Sequence, residues 1–174
     1  MKYADLHIHS IYSDGIYTPE EIINFAMKNK VKNIAITDHD SLASQYVVDN
    51  KNNDVNIISG IELSTEFNDV ELHMLGYFID AHNKDLTAAV NELNKCSTKR
   101  VAEMLYKLKK NDINISFDDL NFNSKATIGR SHIANAMVKK GYFDNYKTAF
   151  TSFLVKGKPG YVKGFKRNYK DCIK

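Results

Sequence analysis

From Tyr3 to about Ile79, short apolar runs alternate with helix-period segments, and this alternation constrains the fold of the chain more than any other feature. It argues for βα units and parallel strands. Tyr3 to His9 reads as a strand. Thr18-Pro19-Glu20-Glu21 opens a helix: Thr18 caps, Pro19 sits where a missing N–H costs nothing, and Glu21 completes a capping box. Tyr17 and Ile22 are placed to form a hydrophobic staple. Asn33 to Thr37 is the next strand, Ser41 to Val48 a short helix, and Asn56 to Leu63 a third strand. Phe67 to Phe78 reads as one more, hairpin-paired through Asn68-Asp69.

Beyond residue 82 the period changes. Leu86, Val90, Leu93, Val101, Leu105 and Leu108 form a helical stripe that is expected to break near Ser97-Thr98 and to end at Asn111-Asp112. Ser116 caps a short helix through Leu120, and Arg130 to Lys140 forms another, closed by Gly141. Asp144 is expected to cap a last helix, with Tyr146, Phe150, Phe153 and Leu154 on its buried side. The chain thus divides into an α/β region over residues 1–82 and an all-helical subdomain over 83–174, inserted in or appended to the first.

With 43% hydrophobic residues the chain can build a core, which excludes general disorder. A net charge of +3 is too mild to diagnose nucleic-acid binding. Its distribution is uneven, because the stretch from Lys156 to Lys174 is basic. Cys96 and Cys172 stand far apart in no metal-binding or redox spacing. A reducing, cytoplasmic setting fits them better than a disulfide framework. No run has membrane-spanning length, and the first residues do not read as a secretory signal.

The chemistry concentrates at strand ends. In Asp5-Leu6-His7-Ile8-His9 the alternation of a strand puts Asp5, His7 and His9 on one face. Two imidazoles so spaced can bind one divalent cation, or can merely hydrogen-bond at a polar strand end. Ser13-Asp14-Gly15 follows in a loop, Thr37-Asp38-His39-Asp40 follows the second strand, Glu62 lies near the end of the third, and Glu71 and His73 share a face of the fourth. Four strands each delivering a His or a carboxylate near one end favour a shared metal site. Donors without thiolates favour zinc, manganese or iron, and a mixed set of this size suits a cluster of two or more ions.

These residues resemble the polymerase and histidinol phosphatase (PHP) family. The resemblance rests on Asp5-His7-His9, Ser13-Asp14-Gly15, Thr37-Asp38-His39, Gly60-Ile61-Glu62 and Leu72-His73-Met74-Leu75-Gly76. It implies a partial form of a distorted seven-stranded βα barrel, residues 1–82 being its metal-binding half, with two or three divalent ions (Mn, Zn or Fe). It further implies that His7 and His9 bind one ion and that Glu62 bridges to a second, which His73 helps hold. Asp14 and His39 would serve a third position. The implied activity is phosphoesterase chemistry by a metal-activated water.

Ile128-Gly129-Arg130-Ser131-His132-Ile133-Ala134 and Gly157-Lys158-Pro159-Gly160-Tyr161-Val162 resemble the helical insertion of the TrpH/YciV-like branch, with Ser131 where proline is frequent. That branch implies a substrate-covering subdomain and nucleotides or short RNA as substrates, through nucleoside 3′,5′-bisphosphate phosphatase or 5′-to-3′ exoribonuclease activity. Arg130 at a helix start is a candidate phosphate ligand, or else a surface arginine. The family's later His-Pro and Asp-x-His motifs are not found before Lys174. The expectation is therefore a C-terminally truncated chain, poorly active alone, whose open barrel edge is covered by self-association or by a partner.

Two other functions compete. One is histidinol-phosphatase or polymerase-proofreading activity within the same family, and the other is a non-catalytic metal-binding or interaction module. His82 reads as a solvated loop residue, and Asp38 and Asp40 as supports for His39 or as helix caps, the latter preferred for Asp40. Cys96 reads as a small core residue and Cys172 as an exposed one. Lys163, Lys166, Arg167 and Lys170, interleaved with Tyr161, Phe165 and Tyr169, read first as a solvated basic face and second as a polynucleotide surface.

Overall fold

The structure is a computed structural model that describes residues 3–48, 54–68, 70–123 and 125–173. Its elements are strands β1 (Ala4–Ile8), β2 (Asn33–Ile36), β3 (Asn56–Ile57), β4 (Gly60–Phe67), β5 (Val70–Tyr77) and β6 (Arg167–Asn168), and helices α1 (Pro19–Lys28), α2 (Lys84–Lys109), α3 (Arg130–Lys139) and α4 (Tyr146–Ala149). The chain forms two compact units, one made of residues 1–93, 123–127 and 166–174, the other of 94–122 and 128–165.

The first unit is mixed α/β. β1, β2 and β3 form a parallel sheet, while β4 pairs antiparallel with β5 on one side and parallel with β6 on the other. An isolated parallel bridge joins His39 to Glu62. α1 starts as its sequence dictates: Glu21 N–H donates to Thr18 Oγ1 (3.2 Å) and Thr18 N–H donates to Glu21 Oε2 (2.8 Å). Tyr17 packs edge-on against Phe25 at 4.8 Å, almost a turn beyond the Ile22 expected as its partner. Ile22, Ile23 and Ala26 of α1 bury against Ile34 and Ile36 of β2 and against Val55. Each fully buried isoleucine contributes about 1.5–3 kcal/mol by leaving water.

The expected third strand is in fact two. β3 is short, and the chain leaves the parallel sheet after Ile58, whose N–H donates to Ile34 O (2.8 Å). It then enters β4 at Gly60, where a Cβ would stand 2.8 Å from Thr37 Cγ2. Glycine is needed there because the two segments cross closely. The β4–β5 hairpin turns at Asn68, which adopts φ 48°, while its companion Asp69 lies outside the described residues. The expected helix after Thr37-Asp38-His39-Asp40 is a single 3-10 turn, Ala43–Tyr46.

The second unit is helical, and its core gathers Val101, Met104, Leu105 and Leu108 with Ile133, Met137, Ala149 and Leu154. The predicted break near Ser97-Thr98 does not occur. Thr98 Oγ1 donates to Asn94 O (2.9 Å), a back-bond that accommodates a hydroxyl residue inside a helix. The last helix is capped by Asn145, whose Oδ1 accepts from Thr148 N–H (2.9 Å), and not by Asp144. It runs into a π-helical turn, Phe150–Leu154, so Leu154 is buried while Tyr146 stays exposed and stacks on Phe150. Among the described residues, no helix is long and apolar enough to cross a membrane.

Candidate metal centre

The centre is built in the first unit around Glu62, which is 3% exposed. β4 carries Glu62, and the antiparallel register sets His73 of β5 diagonally across from it, opposite Ser64. Diagonal partners on one sheet face lie within reach of long side chains. β1 delivers His7, and His9 follows just past its end, after an irregularity in the β1–β2 register between Asp5 and Ile8. The bridge between His39 and Glu62 brings the third imidazole-bearing segment to the same place.

Four imidazoles converge on that one carboxylate. His7 Nε2 and His9 Nε2 lie 2.9 and 3.1 Å from Glu62 Oε2, and His39 Nδ1 lies 3.5 Å from the same oxygen. His73 Nδ1 lies 2.8 Å from Glu62 Oε1. Asp14 stands behind, 3.7 Å from His9 Nδ1 and 4.0 Å from His39 Nε2. The rings follow one another, His7 to His9 at 5.1 Å, His9 stacked on His39 at 4.5 Å, and His39 to His73 at 4.8 Å.

Protons alone satisfy this arrangement poorly. Two imidazolium charges about 5 Å apart repel by about 3 kcal/mol at an effective dielectric of 20. Charging all four rings is therefore unfavourable. Accordingly, burial, opposed by Glu62 and Asp14 and reinforced by its imidazole neighbours, keeps His39 below the usual imidazole range. Its Nδ1 is buried with no hydrogen-bond partner. A ring nitrogen held this way beside a carboxylate suits a cation. The donors also group into three overlapping trios, each with its ligand atoms within 4.8 Å of one another: His7-His9-Glu62, His39-Glu62-His73 and His9-Asp14-His39. All six residues singled out as metal ligands are thus brought together, and the donor set fits divalent ions.

The remaining titrations follow from the same contacts. Burial would raise the Glu62 carboxyl, but hydrogen bonds from His73 and His9, the charge of His39 and the bond from His7 outweigh it and hold the group well below the carboxylate range. His73, bonded to both Glu62 and Glu71, is pushed up to about 9, and His9 is raised because Glu62 and Asp14 overcome its burial.

The sign for stability in the ion-free protein is clear above pH 6.5. There folded His39 is neutral and its unfolded form is losing its proton, whereas His73 and His9 bind protons more tightly when folded. The contribution of His73 is complete below 6.5 and is lost as pH rises through about 9, and that of His9 has the same sign. The melting temperature of chelator-treated protein is expected to fall between pH 6.5 and 9. A flat profile over that range would contradict these assignments.

The loop after β1 is anchored from beneath by a residue whose role the sequence left open. Asp38 is fully buried and accepts from Ser10 N–H, Ser10 Oγ and Ser13 Oγ, each at 2.7 Å. Ser13 Oγ lies in turn 3.4 Å from His9 Nδ1. Asp38 therefore supports His9 through the loop and not His39. Gly15 folds back so closely that a Cβ there would meet His9 O at 2.1 Å. Asp40 is no helix cap: at φ 46° its Oδ1 accepts from Ser64 N–H (2.8 Å) and its own N–H donates to Glu62 O (2.9 Å). Sequence reasoning missed this framework, although Ser10 and Ser13, close together just after His9, were a visible signal.

Other singled-out residues lie as follows. Arg130 begins α3 in the second unit, its guanidinium over the Phe150 ring at 5.3 Å, and Gly129 N–H donates to His132 Nδ1 (3.2 Å). His82 is exposed, with its ring 5.4 Å from that of Tyr46. Cys172 is half-buried, contrary to expectation, because its thiol turns toward Asn168 O (3.8 Å). Lys166 pairs with Glu71 and Arg167 with Glu92, so part of the basic segment is engaged within the fold.

The chain is similar to known proteins along most of its length. The chain is 30% identical over 164 residues to a 5′-3′ exoribonuclease of Haemophilus influenzae, covering 93% of this chain and 60% of that protein. It is 28% identical to a 3′,5′-nucleoside bisphosphate phosphatase of Chromobacterium violaceum, covering 99% of this chain and 62% of the other. A crystal structure from Bifidobacterium adolescentis, described as a candidate metal-dependent phosphoesterase, superposes with a TM-score of 0.90 at 26% identity, over 99% of this chain and 62% of that one. The chain thus spans about 60% of the length of these two relatives. The PHP domain matches residues 5–174, and the chain belongs to that family.

Proposed function

We propose that this protein is a metal-dependent phosphoesterase acting on phosphate esters of nucleotides or short RNA, in the manner of a nucleoside 3′,5′-bisphosphate phosphatase or a 5′-to-3′ exoribonuclease. The carrying observation is the set of three donor trios that share Glu62, His9 and His39. In this reading His7 and His9 would hold one ion, Glu62 with His73 a second, and Asp14 with His39 a third. Manganese, zinc and iron suit such imidazole and carboxylate donors. Divalent cations there supply Lewis acidity toward phosphoryl oxygens and make water reactive near neutral pH.

The chain's own part is to hold Glu62 ionised, keep four imidazoles aimed at one point, and fix the His9 loop through Asp38. The parallel and mixed sheets are read as part of the family barrel, residues 1–82 as its metal-binding half, and the helical region within 83–174 as the cover over the substrate. Arg130, at a helix start, is assigned to a substrate phosphate. The names of the relatives support the substrate class.

The test is turnover with added manganese, measuring inorganic phosphate from a nucleoside 3′,5′-bisphosphate and mononucleotides from 5′-phosphorylated RNA. Activity is expected to vanish with chelator and to fall roughly 100-fold or more in His9→Ala, as loss of a direct ligand exceeds the 10–100-fold cost of disturbing an outer partner. Failure to hydrolyse either substrate with any divalent metal, at protein concentrations where even weak turnover is detected, would sink the proposal.

A further inference from the structure

His73 presents two different nitrogens to two different carboxylates. Nδ1 faces the centre, 2.8 Å from Glu62 Oε1, and Nε2 faces away, 3.2 Å from Glu71 Oε1. Glu71 lies two residues before His73 on β5, so strand alternation puts both on one face. Glu71 is held in turn by the ammonium of Lys166. That lysine arrives from the opposite side of β4: the strand order is β5-β4-β6, and Lys166 immediately precedes Arg167, which is in register with Thr65. Its side chain spans the central strand to reach Glu71 and is only 9% exposed. A lysine so nearly covered is not a solvated surface charge.

We infer that Glu71, clamped by Lys166, is a positioning residue for His73: it accepts the Nε2 proton, so that the Nδ1 lone pair is turned to the ion shared with Glu62. A ring nitrogen bearing a hydrogen cannot coordinate, and the hydrogen bond at one nitrogen selects the form available at the other. Without Glu71 the ring is free to rotate about its Cβ–Cγ bond and to place its proton on either nitrogen. Histidine ligands backed by a carboxylate in this way lose metal affinity by about 10–100-fold when the carboxylate is removed. Lys166 fixes the carboxylate itself, because an unclamped glutamate at a strand surface samples several rotamers.

This inference rests on the metal-site reading above, and the experiment separates the two. Cobalt(II) is titrated into metal-free protein and into Glu71→Ala, Glu71→Gln and His73→Ala variants, with visible absorption reporting both affinity and ligand field, and melting curves reporting the fold. The expected result is a 10–100-fold weaker cobalt affinity and an altered spectrum in Glu71→Ala, with substantial recovery in Glu71→Gln. Glutamine keeps an acceptor for Nε2 but carries no charge, so recovery identifies the hydrogen bond and not the local field as the cause. If Glu71→Ala does not fold, Glu71→Gln decides: near-parental affinity and spectrum support the inference, and a loss as large as that of His73→Ala overturns it. Parental cobalt binding by Glu71→Ala, alongside a clear loss in His73→Ala, overturns this role for Glu71 and leaves the metal site standing. No cobalt uptake by the unmodified protein overturns both.

Discussion

Glu62→Gln is expected to weaken divalent-ion binding by about 3–5 kcal/mol, or roughly 150- to 5,000-fold, the usual cost of removing one partner from a buried charge pair. Glutamine keeps the shape and one acceptor but removes the charge on which His7, His9, His39 and His73 converge. The ion-free protein offers a second signature. The high proton affinity of His73 arises first from Glu62, so the loss of stability between pH 6.5 and 9 should shrink in the variant. Ion content by elemental analysis and melting curves at both pH values check the two effects independently. An unchanged ion content would show that Glu62 is not the shared ligand.

Asp38→Ala is expected to be the most damaging single change to the fold of the first unit. It orphans three buried donors, Ser10 N–H, Ser10 Oγ and Ser13 Oγ. Each unsatisfied buried group costs about 1–3 kcal/mol, and domains of this size hold only about 5–15 kcal/mol in total. A drop in melting temperature of 10 °C or more, or outright failure to fold, is the expected outcome. Asp38→Asn should fall between, because its amide oxygen retains part of the acceptor capacity. A melting curve for Asp38→Ala within a degree or two of the parent would refute the anchoring role.

The parts of this centre that the sequence disclosed are those governed by local rules. Alternation on a strand announced His7 and His9, and the Thr18 and Glu21 capping box was visible as a four-residue pattern. The hairpin that sets His73 against Glu62 was marked by a polar pair between apolar runs. What stayed hidden depends on the path of the chain. That β3 ends at Ile57 and Gly60 begins a strand in another sheet has only the Ser59-Gly60 dipeptide as a local mark, too slight to break the reading of one strand from Asn56 to Leu63. Asp40 looked like a helix cap because its bond to Ser64, 24 residues away, has no local trace. Lys166 was read among solvated basic residues for the same reason, its carboxylate partner being 95 residues distant.

The backbone bonds between Asp38, Asp40 and Glu62 have one more consequence. They run from the segment after β2 to β4, with Glu62 N–H donating to Asp38 O (3.2 Å) and Asp40 N–H donating to Glu62 O (2.9 Å). His39, between those two aspartates, is therefore stitched to the strand that bears its carboxylate neighbour. Ligands that share a seam cannot part without unzipping it. An ion held by both residues would act as a rivet through the two plies of the unit that this seam already joins.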